Sequence, residues 1–370
     1  MADPKDLLKE LICIDSNVNK SNIELIELTK NKLKNLDIQE YSFLKKDLKL
    51  FNLVAKINGK SSDNPLVFVA HTDTVPASDK WNSNPLEPIE KDGKIYGLGS
   101  SDMKAGIACM LAAALSLEKQ PRQDVYLVFD ADEEGSGLGA LSLIDRFSLA
   151  NAKIIIAEPT TRKIIIGQKG CIDLEIETFG KAMHSSRTNF EQNHKNNAIY
   201  KIARIIQALL NYEKEIEKKE DKEYGKPNMN LGFIQGGNAP TVLADKCVLK
   251  ISRRLLPSES LDNVFNEISK IVLQEDPEAR IKKLFWGESF KTEKNTEFIK
   301  NIINISKLFY EDILLDVNKA WTEASLFSKW GETVIFGPGQ EEQAHQANES
   351  VEISDLDKFT KIYKQLMEGK

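Results

Sequence analysis

Four histidines occur in this 370-residue chain: His71, His184, His194 and His345. Two of them stand beside carboxylates in polar runs that come after apolar stretches. His71, Thr72 and Asp73 come directly after residues 66–70 (LVFVA), and His345 lies in the loop GPGQEEQAHQANE that succeeds residues 333–336 (TVIF). Two more apolar runs end in acids. Residues 125–129 (VYLVF) lead into Asp130, Ala131, Asp132, Glu133 and Glu134, and residues 154–157 (IIIA) lead into Glu158 and Pro159. A further acid, Asp102, closes the run GLGSSD just ahead of residues 104–117 (KAGIACMLAAALSL). Singly each has a plain explanation: a helix N-cap for Asp102, acids opening a helix for Glu133 and Glu134, a turn for Glu158. Together, two histidines and three carboxylates suit one or two borderline divalent cations such as zinc, with cobalt or manganese as alternatives. If one carboxylate bridges, each cation receives a shared oxygen, a terminal carboxylate and an imidazole. A shared hydroxide then balances the charge of two dications. Such a centre acidifies water and polarises a carbonyl. His71 and Asp73, two apart at a strand end, face the same way, so the Asp73 carboxylate is expected to accept from the imidazole. Of Glu133 and Glu134, one can bind metal and the other can act as the base.

These side chains need elements that carry them to one place. The runs at 66–70, 125–129 and 154–157 are continuous and rich in branched residues, as in strands buried on both faces. Residues 104–117 and 138–147 read as helices between them. The alternation predicts an α/β domain with a mostly parallel sheet and helices on both faces. Ligands in such sheets sit beyond the carboxyl ends of the strands, which is where His71, Glu133, Glu134, Glu158 and His345 fall.

From residue 170 the pattern changes. Residues 171–179 (CIDLEIETF) alternate with period two. Residues 196–210 carry helical periodicity, and 229–235 and 246–255 read as strands. An amphipathic helix at 260–273 and a short strand at 280–286 complete the series. That order is the split βαβ arrangement of a ferredoxin-like α+β domain. Helical patterns resume at 295–310 and 322–329. The expected organisation is one α/β domain (1–169 and 288–370) interrupted by a smaller domain at 170–287. Residues 213–224 (EKEIEKKEDKEY) read as a solvated helix end and loop.

Composition narrows the function classes. With 41% hydrophobic and 29% charged residues the chain can build a core, which excludes global disorder. A formal net charge of −6 without a dense basic block argues against nucleic-acid binding. The longest apolar stretch, 107–115, is shorter than the roughly 18 residues that cross a bilayer, so no membrane partner is expected. The start reads as an amphipathic helix rather than a signal peptide. Four scattered cysteines without CxxC spacing point to a reduced, cytoplasmic compartment. There is no GxSxG elbow for a serine hydrolase.

Through these motifs the sequence resembles the co-catalytic zinc aminoacylase and exopeptidase family. That family includes acetylornithine deacetylase, succinyl-diaminopimelate desuccinylase and glutamate carboxypeptidase. The matching stretches are HTDTVP from His71, GLGSSDMKAG from Gly97, DEEG from Asp132, EPT from Glu158 and GPGQEEQAH from Gly337. GKAMHSS from Gly180 and GGNAP from Gly236 extend the match through the inserted segment. The sequence departs from the family's pattern at Ala105, Met183, Thr241 and Ser252, none of them a ligand position.

The resemblance implies that Asp102 bridges two zinc ions. It assigns His71 and Glu158 to one ion and Glu134 and His345 to the other. Glu133 matches the general base and Asp73 the acid that orients the metal-binding histidine. The resemblance further implies a cis peptide after Asp102. The inserted domain matches a lid that forms a homodimer. In it, His184 matches the histidine that reaches a neighbouring subunit's site, and Arg254, with Arg253 beside it, the arginine that holds a substrate carboxylate. The expected reaction is Glu-assisted attack of a metal-bridging water on the amide of a small N-acyl amino acid. The residues around Thr322, Glu323 and Ala324, with the GPG loop, look closer to the acetylornithine deacetylase branch. The alternatives are a carboxypeptidase or di- or tripeptidase, and a metal-free binding protein on the same scaffold.

Overall fold

The computed structural model describes residues 2–160 and 162–369. The chain forms two compact units. One comprises Met1–Gly167, Lys291–Asp316 and Thr322–Lys370; the other comprises Gln168–Phe290 and Val317–Trp321. The second thus takes in a short segment, Val317–Trp321, that the sequence alone assigned to the larger domain. There Trp321 packs edge-on against Phe285 at 4.8 Å, over Gly287, where a Cβ would collide with its indole.

The first unit is built on a sheet whose central strands run in the order Gln123–Asp130, Ser61–His71, Ala152–Pro159 and Gly331–Gly337. All neighbours among these four are parallel. The antiparallel strands Leu48–Ile57 and Asp37–Lys45 extend one side. Branched and aromatic side chains dictate this interior: Val67, Phe68, Val69, Ile154, Ile155 and Ile156 are all fully buried. Each such side chain contributes about 1.5–3 kcal/mol. The helix Lys104–Leu115 is apolar all round and correspondingly buried from Lys104 to Ala113. It lies against the strands Ser61–His71 and Ala152–Pro159, backed by the helices Pro4–Ile12 and Ile353–Glu368. Gly106 makes that approach, because a Cβ there would strike the Ala157 carbonyl. The helices Leu138–Ile144 and Ala324–Phe327 pack together, the first on Gln123–Asp130 and the second on Gly331–Gly337.

The second unit is an antiparallel sheet in the order Asn228–Gly236, Lys246–Leu255, Gly170–Phe179, Arg280–Gly287. The helices Ala198–Ile216 and Leu261–Glu275 cover one face, burying Ile172, Leu174, Ile176, Leu249 and Ile251 against Ile205 and Ile268. This is the ferredoxin-like topology expected from the element order. The other face is polar, with Lys246 paired to Glu177 and Lys250 to Glu175 across the strands.

Candidate metal centre

The parallel strands of the first unit end at one edge, and their ends bring the sequence motifs together. His71 closes its own strand and is 1% exposed. Its Nδ1 lies 3.0 Å from the backbone carbonyl of Asp73, so the ring donates there and turns Nε2 toward the acids. Nε2 is 3.1 Å from Asp102 Oδ1 and 3.6 Å from Glu158 Oε1. On the other side, His345 Nε2 is 2.8 Å from Glu134 Oε2 and 3.6 Å from Asp102 Oδ2. The two oxygens of Asp102 therefore face two different imidazoles, each accompanied by its own glutamate. The donor atoms of His71, Asp102 and Glu134 lie within 4.8 Å of one another, as do those of His71, Glu133 and Glu158. The Asp102–Met103 peptide is cis.

One expectation about this cluster is corrected. The Asp73 carboxylate does not make the hydrogen bond to the His71 ring, from which its nearer oxygen stands 3.8 Å away. It accepts instead from the backbone N–H groups of Glu133 (3.2 Å) and Glu134 (3.0 Å). The strand ends at His71, so the two-residue alternation lapses there. The Asp73 carbonyl reaches the imidazole, and its side chain is freed to hold the glutamate turn.

The electrostatics fit a cationic occupant. Burial, then repulsion from Asp102, pushes the Glu158 carboxyl well above its ordinary range. Burial, with repulsion from Glu134, Asp102 and Asp73, raises Glu133 to about 8 against the pull of His71. Burial pulls His71 down, yet Glu158 and Asp102 outweigh it and hold the imidazolium well above its usual value. The hydrogen bond to Glu134 raises His345 to about 9. The buried pocket holds more carboxylate charge than its imidazoles offset. That donor set, with Asp102 presenting an oxygen to each half, suits two hard-to-borderline dications.

The remaining candidates belong to the second unit. His184 is exposed; Ser186 donates its N–H to Nδ1 at 3.3 Å, which leaves the ring proton on Nε2. Arg254 lies on the open face of the sheet, half-buried, with no hydrogen bond or ion pair at its guanidinium among the described residues. Arg253 is corrected as a substrate-binding candidate. It is fully buried, and its guanidinium is held by both oxygens of Glu259 (2.8 and 3.1 Å) and by the Arg254 carbonyl. The parity of the strand was the available signal: Cys247, Leu249, Ile251 and Leu255 face the core, and Arg253 shares their side.

Comparison with known proteins matches residues 67–369 to peptidase family M20/M25/M40. The chain belongs to this family. An acetylornithine deacetylase of Buchnera aphidicola (subsp. Schizaphis graminum) is 31% identical over 369 aligned residues, covering 96% of this chain and 93% of that one. An M20 family metallo-carboxypeptidase of Sulfolobus solfataricus shares the fold at a TM-score of 0.79 and 18% identity, covering 100% of this chain and 99% of that one. A dinuclear metal-binding M20 peptidase of Bacillus subtilis does so at 0.67 and 14%, covering 99% and 98%. As an M20 member the chain is a metal-dependent hydrolase of amide bonds.

Three features of this M20 chain escaped the sequence reading. Asp132, at φ 69, is gripped by Lys45 and Ser136 and shapes the turn before Glu133. Asp130 and Glu323 are fully buried and face one another, their four oxygens lacking any N–H or O–H donor from other described residues. Glu349 is buried against the Asp102 loop. The signals were faint: Asp130 and Asp132 are acids at the end of an apolar run, and Glu349 is an acid that closes the His345 loop at the edge of a short strand.

Proposed function

We propose that the chain deacylates small N-acyl amino acids, in the manner of its acetylornithine deacetylase relatives, at a centre of two divalent cations, zinc first among them. The observation that carries this reading is the split presentation of Asp102, one oxygen toward each imidazole. In the proposed assignment His71 and Glu158 hold one ion, Glu134 and His345 the other, and Asp102 both. When bound, the two cations supply Lewis acidity and lower the pKa of water at the centre.

The chain's own residues do the rest. Glu133, held in place by the Asp73 carboxylate at its N–H, takes the proton of the attacking water and returns it to the leaving amine. Arg254, with an uncommitted guanidinium, pairs with the carboxylate of the substrate. His184 donates from Nε2 to the developing oxyanion of a partner subunit's substrate. Burial pushes the Cys109 and Cys171 thiols up to about 12, so neither serves as a thiolate nucleophile.

The second unit is the proposed dimer interface. Asn228–Gly236 is an edge strand, and Phe233 (42%) and Ile234 (55%) stand exposed on it. Unpaired thiols fit a reducing cytoplasmic compartment, and no helix among the described residues is long and apolar enough to cross a membrane.

A panel of N-acyl amino acids and dipeptides, assayed with zinc, cobalt or manganese against a chelator control, tests the reading. Metal-dependent release of acetate from N-acetylornithine, without dipeptide cleavage, is the expected result. Cleavage of dipeptides alone makes the chain a peptidase. A protein that retains no metal and gains no activity from any of the three is a binding protein.

A further inference from the structure

Asp102 ends the run Gly97, Leu98, Gly99, Ser100, Ser101, which lies between a short strand and the helix Lys104–Leu115. The run leaves several backbone N–H groups without a ladder partner, and these converge on one side chain. Glu349 Oε1 accepts from Ser101 N (2.6 Å) and Asp102 N (2.8 Å), and Oε2 accepts from Gly99 N (2.8 Å). The Glu349 backbone carbonyl accepts from Gly97 N at 3.1 Å. Glu349 is 2% exposed. Lys104, itself 1% exposed at the start of the helix that follows, sets its Nζ on the Ile14 carbonyl at 2.8 Å.

The same residue closes the loop that carries His345, four positions upstream. That loop touches the Asp102 run a second time: Ser101 Oγ accepts from Gln340 N (3.0 Å) and donates to the Gln340 carbonyl (3.2 Å). A carboxylate offers two oxygens and only acceptors, which is what three converging N–H groups require. An amide would turn an NH₂ toward at least one of them.

We propose that Glu349 is a positioning residue of the metal centre: it fixes the backbone of Asp102 so that one oxygen faces each imidazole, and locks that setting to the His345 loop. The proposal rests on the two-cation reading, and its test separates the two.

Cobalt(II) is titrated into chelator-stripped wild type, Glu349→Gln and Glu349→Asp. Stoichiometry and affinity are read by calorimetry, ligand geometry by the visible absorption bands, and kcat and KM on the best substrate of the panel. Wild type is expected to take up two ions. In Glu349→Gln the weaker ion should bind about 10–100-fold less tightly, the range for groups that orient metal ligands. Its cobalt bands should shift, and kcat should fall with little change in KM. Glu349→Asp keeps the charge but stands one methylene back, so it should recover part of both.

A Gln variant that melts earlier but binds both ions with wild-type affinity and spectrum overturns the proposal, because its role is then only structural. So does failure of both variants to fold. Wild type that takes up no pair of ions overturns the two-cation reading, and this inference with it.

Discussion

Glu134 reaches His345, while Glu133, its neighbour in the chain, groups with His71 and Glu158. Both backbone N–H groups are pinned by the one Asp73 carboxylate, so the turn that sends these identical side chains apart is fixed from beneath. Glu133 sits close enough to two proposed ligands that its part as base, rather than ligand, needs a direct test. Glu133→Gln keeps the shape and removes the proton acceptor. Turnover should fall by about 10²–10⁴-fold, the usual worth of a positioned base, while the metal content by elemental analysis stays at the wild-type level. Parallel loss of metal makes Glu133 a ligand and reverses the two glutamates. Burial and its acidic neighbours raise the same carboxyl to about 8, and cations bound beside it would lower that value.

At the scale of elements, the buried acids Asp130 and Glu323 join the end of the strand Gln123–Asp130 to the start of the helix Ala324–Phe327. Burial and the opposing carboxylate push Glu323 well above its ordinary range, and burial raises Asp130. A hydrogen bond between two carboxyl groups needs a shared proton. The folded chain therefore keeps a proton that the unfolded chain has lost above about pH 4–5, and stability falls as pH rises from there toward the folded value. Asp130→Asn replaces the proton with an amide donor. In chelator-treated protein, the urea midpoint of wild type should drop between pH 5 and pH 8 by more than that of Asp130→Asn. Equal slopes remove the shared proton.

The elements that present the site were legible because continuous branched runs such as 66–70 and 154–157 have few places to go but a doubly covered sheet. The hairpin of Asp37–Lys45 and Leu48–Ile57 was not. No residue of Asp37–Lys45 is buried, so the strand carries no apolar face to read. The ligand types were legible from the polar residues at the carboxyl end of each apolar run. The supporting contacts were not, because Asp73 to Glu133, Asp130 to Glu323 and Asp102 to Glu349 each join residues at least 60 positions apart.

At the scale of the whole molecule, the proposed homodimer would join the second unit of one copy to that of another. Its sheet ends in Asn228–Gly236, whose outer edge has no strand partner among the described residues. Phe233 and Ile234 lie there, with Val242 (40%) and Ile199 (41%) also exposed in the same unit. Unprotected edges of this kind pair with other chains. A two-fold interface would use each residue twice, so a single substitution acts doubly. Ile234→Glu should turn a dimer into a monomer at micromolar concentration by sedimentation or light scattering, because it would place two carboxylates where the proposed interface buries two apolar side chains. Ile234 is already 55% exposed in one copy, so the melting temperature of the monomer should change little. If His184 serves a partner's centre, kcat should fall with dissociation while metal content holds. A variant that stays dimeric moves the interface away from this edge.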